Sequence, residues 1–173
     1  SRTAWIAVSI IVIATTYFDH PNIQGTIDFY EDLKNNQVII SGQLISNKYK
    51  KSYHGFHVHE AGDLSDKCDG ACAHFNPYHK NHGGPNSYER HVGDLGNIYF
   101  DVHGNAKIKM VDDYIKLRGT KSNIIGRSIV IHLQKDDLGL GGHSDSLTTG
   151  HAGPRITCAV IGYSKKMFTP LVI

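Results

Sequence analysis

The sequence predicts an all-β fold of sandwich type that carries two long functional loops. Three observations predict it. Short runs rich in β-branched residues recur along the chain, each bounded by Gly, Asn or Asp, as sandwich strands are. Glycine is abundant, at 18 residues, and many of these fall between the runs, where turns need them. No stretch shows a sustained helical period.

The elements follow in chain order. Residues 3–18 carry no charge and are rich in Ile, Val and Ala. The segment is short for a membrane span. Its β-branched residues Ile6, Val8, Ile10, Ile11, Val12 and Ile13 favour a buried first strand with a short extension. A targeting segment is the alternative, but the basic flank is Arg2 alone and no small-x-small cleavage site stands out. Further strands are expected over 25–30, Gln37–Ile45, 53–59, 97–102, 106–111, 114–117, Ser128–His132 and 156–161. His103-Gly104-Asn105 reads as a tight hairpin turn. Residues 60–97 and 135–154 are long, polar and rich in Gly, Ser, Asp and His, and structureless loops of that length are usually functional.

At 173 residues the chain is expected to be one domain, 1–173, with one core. Its 18 basic and 16 acidic residues leave a formal charge of +2, scattered, which argues against a nucleic-acid partner. No membrane partner is expected. Three cysteines, Cys68, Cys72 and Cys158, are most simply one disulfide and one free thiol. No Asn-x-Ser/Thr acceptor exists in the chain, which favours a cytoplasmic over a secreted protein; secretion is the alternative if the apolar N-terminus is a signal.

The chemistry lies in the histidines. His57-Val58-His59, His74, His82 and His91-Val92-Gly93-Asp94 fall at spacings that suit two metal ions, and His132 ends a β-branched run downstream. Imidazole suits zinc and copper alike, and a carboxylate among imidazoles leans toward zinc. Six His and one Asp exceed one four-coordinate site but cover two if one residue is shared. His57 and His59 are two apart in an expected strand, so both face one side while Phe56 and Val58 pack inward. A His-x-His pair alone is weak evidence, and a lone histidine after a strand is more often a packing residue than a ligand. His20, His54, His79, His103, His143 and His151 are read as ordinary polar residues.

The whole set resembles the eukaryotic-type copper,zinc superoxide dismutases. The stretches that carry the resemblance are Gly55-Phe56-His57-Val58-His59-Glu60, His74-Phe75-Asn76-Pro77, His82-Gly83-Gly84-Pro85, Glu89 through Asn97, Ile125-Gly126-Arg127, Asp136-Asp137-Leu138-Gly139 and Gly150 through Cys158. The resemblance runs from about Gln24 to Gly162. It implies an antiparallel Greek-key sandwich or barrel of immunoglobulin-like kind. It implies dismutation of superoxide to dioxygen and hydrogen peroxide by a ping-pong copper redox cycle, with zinc as structural and tuning ion. One copper per subunit would be held by His57, His59, His74 and His132, and one zinc by His74, His82, His91 and Asp94, with His74 shared. Asp136 would tie a copper-side to a zinc-side imidazole, Arg155 would guide the anion, His74 would carry a proton, and Thr149 would line the channel. Cys68 and Cys158 would form the disulfide. The resemblance also implies a homodimer and a copper chaperone as loading partner.

Several positions depart from that family pattern. Gln134 and Thr148 stand where lysines that steer the anion are common, with Lys135 adjacent. Cys72 is an addition, read as a buried small side chain or, alternatively, a redox or metal group. Ile125, Val160 and Gly62 suit an apolar dimer surface, whereas Ala61 is small and Tyr163 replaces an aliphatic residue. The tail 164–173 runs past the usual family end. A non-catalytic copper sink would typically lack a copper ligand or the arginine, and all are present. A copper-chaperone-type domain would need a Cys-x-x-Cys delivery module, and a zinc hydrolase would need an open zinc position.

Overall fold

The computed structural model describes residues 10–168. Two antiparallel sheets face each other. The first has the order β6-β3-β2-β1-β9, built from β1 (Ile10–His20), β2 (Ile23–Asp32), β3 (Gln37–Ile45), β6 (Asn105–Asp112) and β9 (Gly162–Tyr163). The second has the order β5-β4-β7-β8, built from β4 (Ser52–His59), β5 (Asp94–Phe100), β7 (Ser128–His132) and β8 (Arg155–Val160). The chain crosses between sheets at β3–β4, β5–β6, β6–β7 and β8–β9, so β6 lies beside β3, β9 beside β1 and β7 beside β4 although these strands are distant in sequence. That is the all-β sandwich the sequence predicts. Among the described residues no helix is long and apolar enough to cross a membrane.

Alternation drives the packing. In β2, Ile23, Ile27 and Phe29 are fully buried while Gln24 and Thr26 are exposed. Phe18, Val38, Ile40, Leu44, Phe56, Val58, Ile98, Phe100, Ile108, Ile129 and Ile131 complete the space between the sheets. Each such side chain contributes roughly 1.5–3 kcal/mol by burial. β4 and β7 are buried on both faces, because the long loops cover the outer face of the second sheet. That is where the histidines sit.

Two expectations need correction, the hairpin and the strand over 114–117. Residues 10–18 do form a strand, in β1, but residues 3–9 lie outside those described. The turn before Asn105 is real: Asp101 Oδ1 accepts from His103 N at 2.8 Å and Asn105 N at 2.9 Å, and Gly104 adopts φ 81°. It is not a hairpin, however, since β5 and β6 lie in different sheets. Residues 114–117 form no strand; Lys116 makes one isolated bridge to Asn123. Their apolar side chains, Ile115 and Leu117, are buried as a cover for the core, which explains the strand-like pattern. The short β9, pairing Gly162 and Tyr163 with Thr15 and Ala14, left no signal in so few residues.

Cys68 and Cys158 are bonded across 90 residues with their Cα atoms 6.0 Å apart, joining the first long loop to β8. Cys72 is free and, contrary to the buried reading, exposed. It closes the short 3-10 turn Asp69–Ala71 with φ 64°, a backbone that turns its side chain outward from the packed loop. Cys158→Ser is expected to lower stability by roughly 2–4 kcal/mol, read as a fall in denaturant midpoint against the parent under non-reducing conditions.

Candidate metal centre

β4 supplies the first two donors. Its pairing with β5 shifts register between Gly55 and His57, a bulge that turns His57 and His59 under the covering loops. Both are buried, while Phe56 and Val58 enter the core on the other face. β7 ends at His132, opposite Arg155, with a second register shift just before it. The first loop brings His74, His82 and His91, and Asp94 opens β5.

Two groups of donors result. His57, His59, His74 and His132 form one, His74, His82, His91 and Asp94 the other, and within each the donor atoms lie within 4.8 Å of one another. Every residue the sequence singled out for these groups is there, and His74 belongs to both. Its Nδ1 stands 3.0 Å from Asp94 Oδ1, while its Nε2 is buried with no hydrogen-bond partner.

The outer nitrogens are tied down, which sets the tautomers. His57 Nε2 donates to Asp136 Oδ2 at 2.6 Å, His59 Nδ1 to the Cys72 carbonyl at 2.8 Å, and His132 Nδ1 to the Gly153 carbonyl at 3.1 Å. Their other nitrogens are left as lone pairs facing inward. His59 Nε2 and His132 Nε2 stand 3.2 Å apart, and His57 Nδ1 is buried without a partner. In the second group, Asp94 Oδ1 lies 3.0 Å from His82 Nδ1 and 3.2 Å from His91 Nδ1. His82 Nδ1 thus faces the Asp94 carboxylate while its Nε2 faces Asp136. Asp94 Oδ2 accepts from the backbone of Gly83 at 3.0 Å and His91 at 2.8 Å.

These converging, partnerless lone pairs are the donor chemistry of metal ions. An all-imidazole set suits copper, and a three-imidazole, one-carboxylate set suits zinc. Asp136 spans the two, accepting from His57 and, at 2.8 Å, from His82 Nε2. It is itself held by Asn97, whose Oδ1 accepts from Asp136 N at 2.7 Å and whose Nδ2 donates to Asp136 O at 3.0 Å. A Cβ on Gly150 would collide with both Asp136 and His82, so the close approach there needs glycine.

Charge follows from burial and pairing. Burial, with the neighbouring His74, pushes His57 and His59 well below the usual imidazole range. Burial likewise lowers His74, and lowers His132 to about 4. Burial also opposes charge on His82, but its bonds to Asp136 and Asp94 outweigh it and raise the group to about 9. Burial opposes ionisation of Asp94, yet hydrogen bonds from His74, His82 and His91 hold it well below the usual carboxylate range.

A cleft of ≈ 500 Å³ leads to the first group, walled by His59, His74, His132, Thr148, Thr149, Asp145 and Arg155. Arg155 forks across two carbonyls, Nη1 to Cys68 O and Nη2 to Cys72 O, each at 2.6 Å. Lys135 does not replace the missing lysines, for its Nζ sits 5.1 Å over the Tyr53 ring. Sequence reasoning missed Asn97 and the role of Arg90. Arg90 is buried, bonded to the carbonyls of Pro85, His91 and Val92 and to Asp112 at 2.7 Å. Both lie inside the quoted motif 89–97, but Asn97's partner Asp136 is 39 residues away and Arg90's carboxylate partner Asp112 is 22.

The family model for copper/zinc superoxide dismutase matches residues 23–161. The chain belongs to that family. It is 53% identical over 167 residues to a copper-zinc superoxide dismutase of Paramecium bursaria Chlorella virus 1, covering 96% of this chain and 87% of that protein. It is 44% identical to an extracellular copper-zinc superoxide dismutase of Brugia pahangi over 92% of this chain and 79% of that one. The crystal structure of the clock protein EA4 superposes with a TM-score of 0.84 at 43% identity, covering 88% of this chain and 95% of that one. Membership of this dismutase family also makes copper and zinc the metals of the two donor groups.

Because His82 titrates at about 9 in the metal-free protein, it carries a proton at neutral pH that a metal ligand must lose. Adding zinc to metal-free protein at pH 7.5 is therefore expected to release about one proton, followed with an indicator dye. The release should fade above pH 9 and be absent in His82→Ala.

Proposed function

We propose that this chain, acting as a single domain, dismutates superoxide to dioxygen and hydrogen peroxide with one copper and one zinc ion per subunit. The observation that carries this is the pair of buried donor groups sharing His74, reached by a cleft with an arginine in its wall. His57, His59, His74 and His132 hold copper, and His74, His82, His91 and Asp94 hold zinc. Bound copper supplies a one-electron couple between superoxide and its two products, which zinc, having no redox chemistry, does not.

The chain's own residues do the rest. Arg155 presents a permanent positive charge in the cleft wall, and two of its five N–H groups are spent on the Cys68 and Cys72 carbonyls. The remaining donors are available to a small anion. Thr149 limits the width of the cleft. His74 Nε2 is the atom that can hold a proton and give it to the product. Asp136 keeps His57 and His82 in register so that both groups keep their shape.

The dimer surface proposed is built on Gly62, Ile125 and Val160. Val160 is 41% exposed, an apolar side chain open to a second copy of the chain. A copper chaperone is the loading partner in this reading. The absence of an Asn-x-Ser/Thr acceptor supports the cytoplasm, although the Brugia relative is extracellular by name.

His132→Ala is expected to abolish superoxide consumption while zinc content stays at the parent level, since His132 serves the copper group alone. Metal analysis beside a superoxide assay of the fully loaded parent and variant checks both; loss of both metals together would refute the division of ligands, and an inactive loaded parent would refute the activity. Light scattering at micromolar concentration is expected to give twice the 19.1 kDa chain mass; a monomer mass would refute the dimer.

A further inference from the structure

The donors assigned to zinc are buried, with His91 the most accessible at 6% and Asp94 at 0%. A hydrated dication reaches such a site by exchanging its waters for protein ligands one at a time. His74 and His91 line a second surface cleft of ≈ 330 Å³. Ala73, His74 and Thr148 line both clefts.

The second cleft contains Glu60 and His79. Both are exposed, and neither side chain makes a hydrogen bond among the described residues. Glu60's backbone carbonyl accepts from Arg127 Nη1 at 2.8 Å, and its carboxylate attracts the same guanidinium without a hydrogen bond. Carboxylate and imidazole are the oxygen and nitrogen ligands zinc takes. Lys80 also lines this cleft, but its ammonium is drawn off over the Tyr88 ring at 4.3 Å and donates to the Tyr88 carbonyl. The copper-side cleft is less hospitable to a free dication. Arg155 is a fixed cation in it, and its one carboxylate, Asp145, is already bonded by His151 Nδ1 at 2.7 Å. Separate routes matter because copper outcompetes zinc at almost any nitrogen site, so metal placement has to be decided by access as well as affinity.

We propose that the second cleft is the zinc entrance, and that Glu60 and His79 are transit ligands. They take hydrated Zn²⁺ from solution and pass it to His91 and His74. The inference rests on the zinc assignment made above.

The test uses the full chain, metal-stripped with its disulfide intact, mixed in stopped flow with Zn²⁺ carried by a chromophoric chelator. In the double variant Glu60→Gln, His79→Ala, zinc uptake is expected to slow by about tenfold through lost capture. Zinc stoichiometry and equilibrium affinity should be unchanged, so dissociation slows in the same proportion, and Cu²⁺ uptake, followed by its visible absorption, should keep its rate. Leu147→Trp, at a half-exposed position on the same cleft, should slow zinc uptake by bulk without removing a donor. An unchanged zinc rate in either variant overturns the proposal. So does equal slowing of zinc and copper, which would indicate a loosened loop. His91→Ala is the control on the assignment: if it binds zinc with parental affinity, the ligand set is wrong and the failure lies there.

Discussion

Seven metal-type donors buried on the outer face of one sheet impose the constraint on which the rest of this structure depends. Imidazoles at 0–6% exposure cannot all carry charge, and their nitrogens cannot all go unpaired, without large desolvation costs. The loops meet that demand. They carry the Cys72 and Gly153 carbonyls to His59 and His132, and the Asp136 carboxylate to His57 and His82. One nitrogen of each ring is thereby occupied, and the other is left facing its neighbours. The two long loops are consequently ordered by the site they cover.

The same loops are anchored independently of the site. Buried Arg90 gathers the carbonyls of Pro85, His91 and Val92 onto Asp112 at the end of β6, with its guanidinium 4.3 Å over Tyr114. The Phe75, Val58 and Gly93 backbones bond in sequence at 2.8–3.0 Å, lacing loop to β4. The disulfide ties Cys68 to β8 three residues beyond Arg155, and Arg155 closes back on Cys68 O. The covalent link and the arginine fork thus hold the same segment, so the cleft wall and the His59 partner Cys72 O are positioned together.

The cleft's charge is thinner than the abundance of basic residues would suggest. Thr148 lies in the wall and Lys135 turns to Tyr53, leaving Arg155 as the cation lining it. Asp145 in the same wall is bonded by His151, whose ring stacks on His143 at 3.7 Å. Neither histidine belongs to a metal-type group among the described residues.

Much of the fold and nearly all donor types were legible in the sequence, because they depend on local chemistry. Strand period, glycine-bounded turns and the His-x-His pair are properties of adjacent residues, and the ordered motifs carried the likeness to a family. By itself the sequence determined which residues are able to bind metal and which side of β4 they face. Only the tertiary structure decided which nitrogen each ring presents, because that is set by Asp136, Cys72 O and Gly153 O, which lie 13–79 residues away from the rings they hold. It also decided that residues 114–117 cover the core without pairing, that Cys72 faces outward, and that Asn97 and Arg90 hold the loops. Hydrogen bonding and burial depend on what the fold brings alongside, and sequence period carries no information about partners that distant.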